Sequence, residues 1–145
     1  MKINVRVSGI VVHEGKVVVV RHRNAMHGDY YLLPGGGLEI DETIEECAVR
    51  EVKEECGFDV KVKSLAYYED VVSKDDHTLH LIFWCEKSGG KSEILDPDNK
   101  VKEILFVNKK ELSNLKKFFP EPLKKRLFDD IGVVSPISLG KIPFP

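Results

Sequence analysis

Three glutamates with helical spacing are the residues of this sequence most suited to chemistry. Glu51, Glu54 and Glu55 belong to the segment GGGLEIDETIEECAVREVKEECGF, residues 35–58. At about 100° per residue, positions i, i+3 and i+4 fall on one face of a helix. Crowded negative charge near a helix C-terminus is unfavourable, so a cation is expected there. Hard divalent cations such as Mg²⁺ or Mn²⁺ prefer carboxylate and carbonyl oxygens.

The residues around these glutamates can support such a site. Arg50 precedes Glu54 by four residues, so it can pair with a carboxylate and fix its rotamer. The glycines before the helix let the backbone approach a ligand, and a carbonyl of this segment could complete a coordination shell. Taken singly, each feature is also typical of a solvated glutamate-rich helix or an ordinary turn.

The joint spacing of these residues resembles the Nudix box, G-x5-E-x7-R-E-U-x-E-E-x-G-U, where U is apolar. Gly36, Glu42, Arg50 and the run from Glu51 to Phe58 meet every fixed position. A pattern this specific is a strong signal. YLLPGG before the box and ILFVNKKEL after it extend the resemblance more weakly. Asp41 stands where many members have glycine, at an unspecified position.

The resemblance implies an α/β/α sandwich around a mixed β-sheet. It also implies hydrolysis of a nucleoside diphosphate linked to another group, with release of a nucleoside monophosphate. The cofactor would be Mg²⁺ or Mn²⁺, and Glu42 would support the loop. The implied metal ligands are Glu51, Glu54, Glu55 and the carbonyl of Gly35.

The general base stays open between Glu54 and Glu51, with Glu103 and Glu86 as later acids that could also serve. The residues assigned to catalysis are Glu54, Glu51, Arg50 and Glu103. Those assigned to substrate binding are Arg6, Arg21, Arg23, Gly36 and Tyr31. The histidines show no metal-ligand spacing, so His22, His27, His77 and His80 are interpreted as structural or surface residues.

The composition limits the possible partners. The 145 residues suffice for one domain, 1–145, and a formal net charge of −2 gives no electrostatic case for binding long nucleic acid or an anionic membrane. The three cysteines show no CxxC spacing, and the N-terminus lacks the apolar core of a secretory signal. We therefore expect a cytoplasmic protein. The family resemblance implies a small nucleotide as substrate and a homodimer as the assembly.

Hydropathy patterns predict the elements that must hold this site. A hairpin is expected from 3–12 and 16–21, with His13, Glu14 and Gly15 as its turn. A helix is expected over 43–56, with Gly57 as its C-terminal cap. Further strands are expected at 30–33, 59–72, 77–85 and 101–107, further helices at 109–117 and 122–128, and loops at 34–37 and 88–100. The apolar, proline-containing tail at 132–145 is expected to form no regular element and to pack on the body or on a second subunit.

Two questions are left open by the sequence. A non-catalytic Nudix-like module that senses a nucleotide is the alternative to an enzyme, although the intact box and the short chain favour the enzyme. The region at 71–77 (VVSKDDH) carries neither the proline nor the tyrosine that often marks particular substrate subgroups. Nucleoside triphosphates, nucleotide sugars and ADP-ribose therefore all remain candidate substrates.

Overall fold

The computed structural model describes residues 2–143, which form nine strands and three helices. In chain order these are β1 (Lys2–His13), β2 (Lys16–His22), β3 (Tyr30–Leu32), β4 (Gly35–Gly37), α1 (Ile44–Cys56), β5 (Phe58–Val72), β6 (Asp76–Gly90), β7 (Val101–Val107), α2 (Lys109–Asn114), β8 (Phe118–Phe119), α3 (Leu123–Arg126) and β9 (Ile137–Pro143). No helix within residues 2–143 is long and apolar enough to cross a membrane.

The strands form one mixed sheet in the order β8-β3-β2-β1-β6-β5-β9, while β4 pairs with β1 and β7 with β2. The long strands β1 and β6 run parallel, and β5 and β6 form an antiparallel hairpin. The predicted first hairpin is confirmed. Glu14 and Gly15 both have positive φ, 52° and 74°, which suits a two-residue turn between twisted strands.

Side chains alternate across the sheet and build a separate core on each face. Along β2, Val18 and Val20 pack with the apolar side of α1, whereas Val17 and Val19 belong to a second core. The second core also contains three buried leucines, which are Leu112 of α2, Leu123 of α3 and Leu127 directly after α3. With α1 on one face and α2 and α3 on the other, the predicted α/β/α sandwich is confirmed.

The prediction that the three glycines form a loop is wrong, because Gly35–Gly37 is strand β4 and pairs antiparallel with Arg6–Ser8 of β1. Glycine normally weakens a strand, but here it permits a close approach of two backbones. A Cβ on Gly35 would lie 2.3 Å from Ser8 Oγ and 2.4 Å from the Val7 carbonyl oxygen. Only glycine therefore fits this pairing.

The prediction that the tail has no regular element is wrong for Ile137–Pro143, which forms edge strand β9 in parallel pairing with β5. The expected packing on the body is confirmed through that pairing, while residues 144–145 lie outside the described range. An edge strand tolerates Pro143, because one side of the strand needs no ladder donor.

Smaller differences concern the ends of elements. Strand β6 continues to Gly90 into the predicted loop, because Gly89 and Gly90 pair with the start of β5. The last two helices are shorter than predicted, since α2 ends at Asn114 and α3 spans only Leu123–Arg126.

Candidate active site

Helix α1 carries the glutamates, and its two ends are fixed by local interactions. The Thr43 hydroxyl accepts from the Glu46 N–H (3.0 Å), and the Glu46 carboxylate accepts from the Thr43 N–H (2.9 Å), which closes a capping box. At the other end Gly57 adopts φ 82°, and its N–H donates to the Lys53 carbonyl. The acidic turn from Glu51 to Glu55 is thereby held in one register against β4.

Arg50 connects most of the acidic groups of the box. Its guanidinium donates two hydrogen bonds to Glu42, both 2.9 Å, in a bidentate pair. It also donates to Glu51 (2.8 Å) and Glu54 (3.3 Å) and to the Gly37 carbonyl (3.1 Å). The prediction that Arg50 pairs with a carboxylate is confirmed, and the guanidinium ties the loop before α1 to the helix.

The glycines of β4 lie against Glu51 and Glu55. The Gly35 N–H donates to Glu55 Oε1 at 2.8 Å, so the strand holds one buried carboxylate directly. A Cβ on Gly36 would lie 2.4 Å from Glu51 Oε1, so the absence of a side chain leaves room for that carboxylate. Glu51 and Glu55 are 9% and 4% exposed, which is rare for single carboxylates.

The surroundings of Glu51 and Glu42 shift the pKa values of these two carboxyl groups in opposite directions. Burial raises the pKa of Glu51, Arg50 opposes that rise, and the charges of Glu55 and Glu54 add to it. For Glu42 the hydrogen bonds from Arg50 dominate and lower its pKa to about 2. Arg50 thus stabilises the ionised form of Glu42 and only partly offsets the burial of Glu51, whose charge still lacks full compensation.

Carboxylate oxygens in this number and degree of burial suit a hard divalent cation. Among residues 2–143, however, no group of three or more His, Cys, Asp and Glu side chains is arranged to hold a metal ion. Glu51 is turned toward Arg50 and Glu55 toward the Gly35 N–H. The donor chemistry therefore fits the metal that the box implies, but joint coordination requires the carboxylates to turn toward one another.

The residues assigned from the sequence divide into two groups. Arg50, the three box glutamates, Gly35 and Gly36 come together where α1 meets β4. Glu103 does not join them, because it lies on β7 and pairs with Arg21 at 3.0 Å. Arg21 also pairs with Asp29, while Arg23 follows the end of β2 and is exposed.

Arg6 and Tyr31 lie toward the opposite side of the sheet from α1. Alternation along β1 puts Arg6 on the same face as Ser8 and Ile10, and Tyr31 packs against the second core. Within the described residues Arg6 makes no ion pair and no side-chain hydrogen bond, and its backbone pairs with Gly37. Glu86, the other late acid, is exposed and pairs with Lys63.

His22, interpreted from the sequence as a structural or surface residue, also lies beside the glutamates. The imidazole is 6% exposed, and its Nε2 lies 3.5 Å from Glu55 Oε2 without a hydrogen-bond partner among the described residues. The signal was the alternation of β2, since His22 follows Val18 and Val20 on the face that packs against α1. His22 is thus a neighbour of the glutamate site.

The comparison with family models decides the assignment that this geometry suggests. The model described as NUDIX domain matches residues 2–129, a range that includes all three helices and strands β1 to β8. The chain belongs to the Nudix family.

Relatives of this Nudix chain include several proteins with named activities. An ADP-ribose pyrophosphatase of Methanocaldococcus jannaschii is 35% identical over 106 residues, covering 72% of this chain and 62% of that protein. An NAD-capped RNA hydrolase, NudC, of Pectobacterium carotovorum is 27% identical over 125 residues, covering 86% of this chain and 46% of that protein. The Nudix chain thus spans about half to three fifths of the length of these relatives.

Solved Nudix structures share the fold. The crystal structure of a NUDIX hydrolase from Nitrosomonas europaea superposes with a TM-score of 0.76 at 21% identity, covering 97% of this chain and 79% of that one. An ADP-ribose pyrophosphatase from Streptococcus suis gives a TM-score of 0.70 at 17% identity, covering 93% and 98%. At these identities the likeness supports the shared fold.

Proposed function

We propose that this Nudix chain hydrolyses the phosphoanhydride bond of a nucleoside diphosphate linked to a second group, using Mg²⁺ or Mn²⁺. The observation that carries the proposal is the gathering of the box carboxylates around Arg50 and the glycines of β4. A surface helix needs no such arrangement, and a structural ion pair needs only one partner. The family assignment supports the same reaction class.

The residues proposed to hold the metal are Glu51, Glu54, Glu55 and the Gly35 carbonyl. When bound there, a divalent cation would supply positive charge beside the diphosphate oxygens and would make water more acidic. Binding would also offset the mutual repulsion that contributes to the raised pKa of Glu51. Arg50 keeps its bidentate partner Glu42, so the loop stays attached while the ligand carboxylates turn.

The protein's own part in the reaction is to take a proton and to hold the substrate. The oxygen of a water molecule attacks phosphorus while Glu54 or Glu51 accepts the proton that this water loses. The anhydride P–O bond breaks in the same reaction. Glu54 is the more exposed of the two, with a 31% exposed side chain and only a 3.3 Å contact to Arg50. Glu103 would have to leave Arg21 to serve as this base.

The residues proposed to contact the substrate lie toward the sheet face opposite α1. Arg6 is half-buried and free of ion pairs among the described residues, so it can hold a phosphate without first losing a carboxylate partner. Arg21 is already paired with Glu103 and Asp29, and Arg23 is exposed, so both are weaker candidates. Tyr31 could contact the nucleoside beside Arg21, its partner in the β2–β3 ladder.

The substrate proposed first is ADP-ribose, because the relative from Methanocaldococcus jannaschii is named an ADP-ribose pyrophosphatase. Hydrolysis would give AMP and ribose 5-phosphate. The three cysteines are free and buried, which suits the proposed cytoplasmic setting. A homodimer is a further proposal, testable by sedimentation of the purified chain.

The experiment is a substrate panel with monophosphate release as the readout. ADP-ribose, NAD, a UDP-sugar, a dinucleoside polyphosphate and a nucleoside triphosphate would each be incubated with Mg²⁺, with Mn²⁺ and with a chelator. We expect metal-dependent release from at least one compound, with ADP-ribose the leading candidate. Release from none of them with either metal, by a folded protein, would contradict the proposal and favour a nucleotide-sensing module.

A further inference from the structure

Three buried polar side chains form a hydrogen-bonded chain across three strands. Ser8 Oγ of β1 lies 2.7 Å from His80 Nε2 of β6, and His80 Nδ1 lies 2.7 Å from Glu69 Oε2 of β5. The three residues are 1%, 6% and 3% exposed. They lie on the sheet face opposite α1, on the same side as Ile10 and Tyr67.

The donors and acceptors of this chain have one consistent direction. A carboxylate can only accept, so His80 Nδ1–H donates to Glu69. Nε2 of the neutral ring then accepts, and the Ser8 hydroxyl donates to it. Burial lowers the pKa of His80 below its ordinary range, although Glu69 opposes this, which is consistent with a neutral ring. The Ser8 hydroxyl is therefore fixed, with its lone pairs free.

The fixed oxygen lies directly beneath the glutamate site. A Cβ on Gly35 would lie 2.3 Å from Ser8 Oγ, so a Cα hydrogen of Gly35 points at that oxygen. Ser8 and Gly35 are also partners in the β1–β4 ladder. The N–H of the same glycine donates to Glu55 at 2.8 Å. A single residue thus joins the buried chain to a box carboxylate.

A nucleophilic triad is the first alternative, since serine, histidine and a carboxylate are its components. Ser8 is 1% exposed and Gly35 covers its oxygen, so a substrate carbonyl or phosphorus has no approach to it. Plain stabilisation of the core is the second alternative. Glu69 Oε1 is buried without a hydrogen-bond partner within residues 2–143, and such a group destabilises a core. Stability alone therefore does not account for the hydrogen bonds that join Ser8, His80 and Glu69.

We propose that Ser8, His80 and Glu69 are positioning residues that hold Gly35 in place. Through its N–H, Gly35 then fixes the Glu55 carboxylate, and its own carbonyl is fixed as a metal ligand. This proposal rests on the proposed hydrolase function. Loss of the Ser8 hydroxyl should let β4 shift relative to α1, which weakens metal binding and slows the chemical step. Substrate binding depends mainly on other residues, so KM should change little.

The test uses the variant S8A, which removes the hydroxyl oxygen of Ser8. A second variant, E69Q, is the conservative one, because glutamine keeps an acceptor for the His80 Nδ1–H. The control is H77Q, because His77 pairs with Asp70 at 2.8 Å on the same two strands but is about half exposed. Mn²⁺ affinity would be measured by electron paramagnetic resonance without substrate, together with kcat and KM. Exchange of the Gly35 amide proton would be measured by NMR without metal.

For S8A we expect Mn²⁺ affinity and kcat to fall about 10-fold and KM to stay within about twofold. Its Gly35 amide should exchange at least about 10-fold faster than in the unchanged chain. H77Q should stay within about twofold throughout, and E69Q should lie much closer to the unchanged chain than S8A does. Equal Gly35 exchange in S8A and the unchanged chain, or equal losses in S8A and H77Q, would overturn the proposal. If the unchanged chain binds no Mn²⁺ and cleaves nothing, the proposed function fails, and the amide exchange still decides the positioning role.

Discussion

Replacing Glu42 with glutamine should destabilise the folded chain in a pH-dependent way. Glu42 accepts both hydrogen bonds of a bidentate pair from Arg50, and its side chain is only 14% exposed. Its second partner is the Glu39 N–H at 2.9 Å. Glutamine keeps the shape and one acceptor oxygen but loses the negative charge opposite the guanidinium.

The magnitude follows from the pKa of Glu42, which is lowered from 4.5 to about 2. Each unit of difference between folded and unfolded states corresponds to about 1.4 kcal/mol, so the shift sets an upper limit near 3.5 kcal/mol. Partial solvation of the pair reduces this to about 2 kcal/mol. Because the folded pKa is the lower one, this stabilisation is complete above pH 4.5 and disappears as the pH falls through about 2.

The assay is thermal unfolding of E42Q and the unchanged chain at several pH values from 7 to 3. At pH 7 the variant should unfold roughly 4–8 °C lower, since about 1 kcal/mol corresponds to about 2–4 °C in a chain of this size. The gap should shrink by about half or more at pH 3. E45Q is the control, because Glu45 is an exposed glutamate on the same helix. A gap of constant size at all pH values would refute the electrostatic explanation.

Three further changes test other parts of the fold by urea unfolding. G57A should lower stability by about 2–4 kcal/mol, because Gly57 has φ 82° and a Cβ there would lie 2.2 Å from the Lys91 carbonyl oxygen; a loss below about 0.5 kcal/mol would contradict this. Y67F should lower it by about 1–2 kcal/mol, since the Tyr67 hydroxyl donates to Asp130 at 2.6 Å, and no loss would show that the bond is not stabilising. Ending the chain before Ile137–Pro143 removes β9 and should lower it by about 2 kcal/mol, and an unchanged midpoint would mean that β9 contributes no stability.

The sequence predicted the elements whose signals are local. Helix α1 was predictable because its apolar spacing and Gly57 all lie within 15 residues of one another. The first hairpin was predictable from alternation and a turn that contains Gly15, although His13, expected in the turn, belongs to β1. The pairing of Arg50 with Glu54 also followed from helical spacing, whereas its bidentate pair with Glu42 did not.

The features that the sequence did not predict depend on partners far along the chain. Gly35–Gly37 has no strand propensity, and it becomes a strand only because β1 accepts a close neighbour. Ile137–Pro143 becomes a strand because the edge of β5 is open to it. The hydrogen bond between Ser8 and His80 joins residues that are 72 positions apart in the sequence. Its only local signal was a polar residue in the apolar register of a strand.

The metal dependence of single variants tests most directly whether the box glutamates hold a metal that supports hydrolysis. Monophosphate release from the best substrate of the panel would be titrated with Mg²⁺ and Mn²⁺ in E51Q, E54Q and E55Q, with E45Q as the control. Each of the three variants should lose at least about 100-fold in metal-dependent rate while remaining folded, and E45Q should match the unchanged chain. Full activity in all three variants, or activity unaffected by a chelator, would contradict the account.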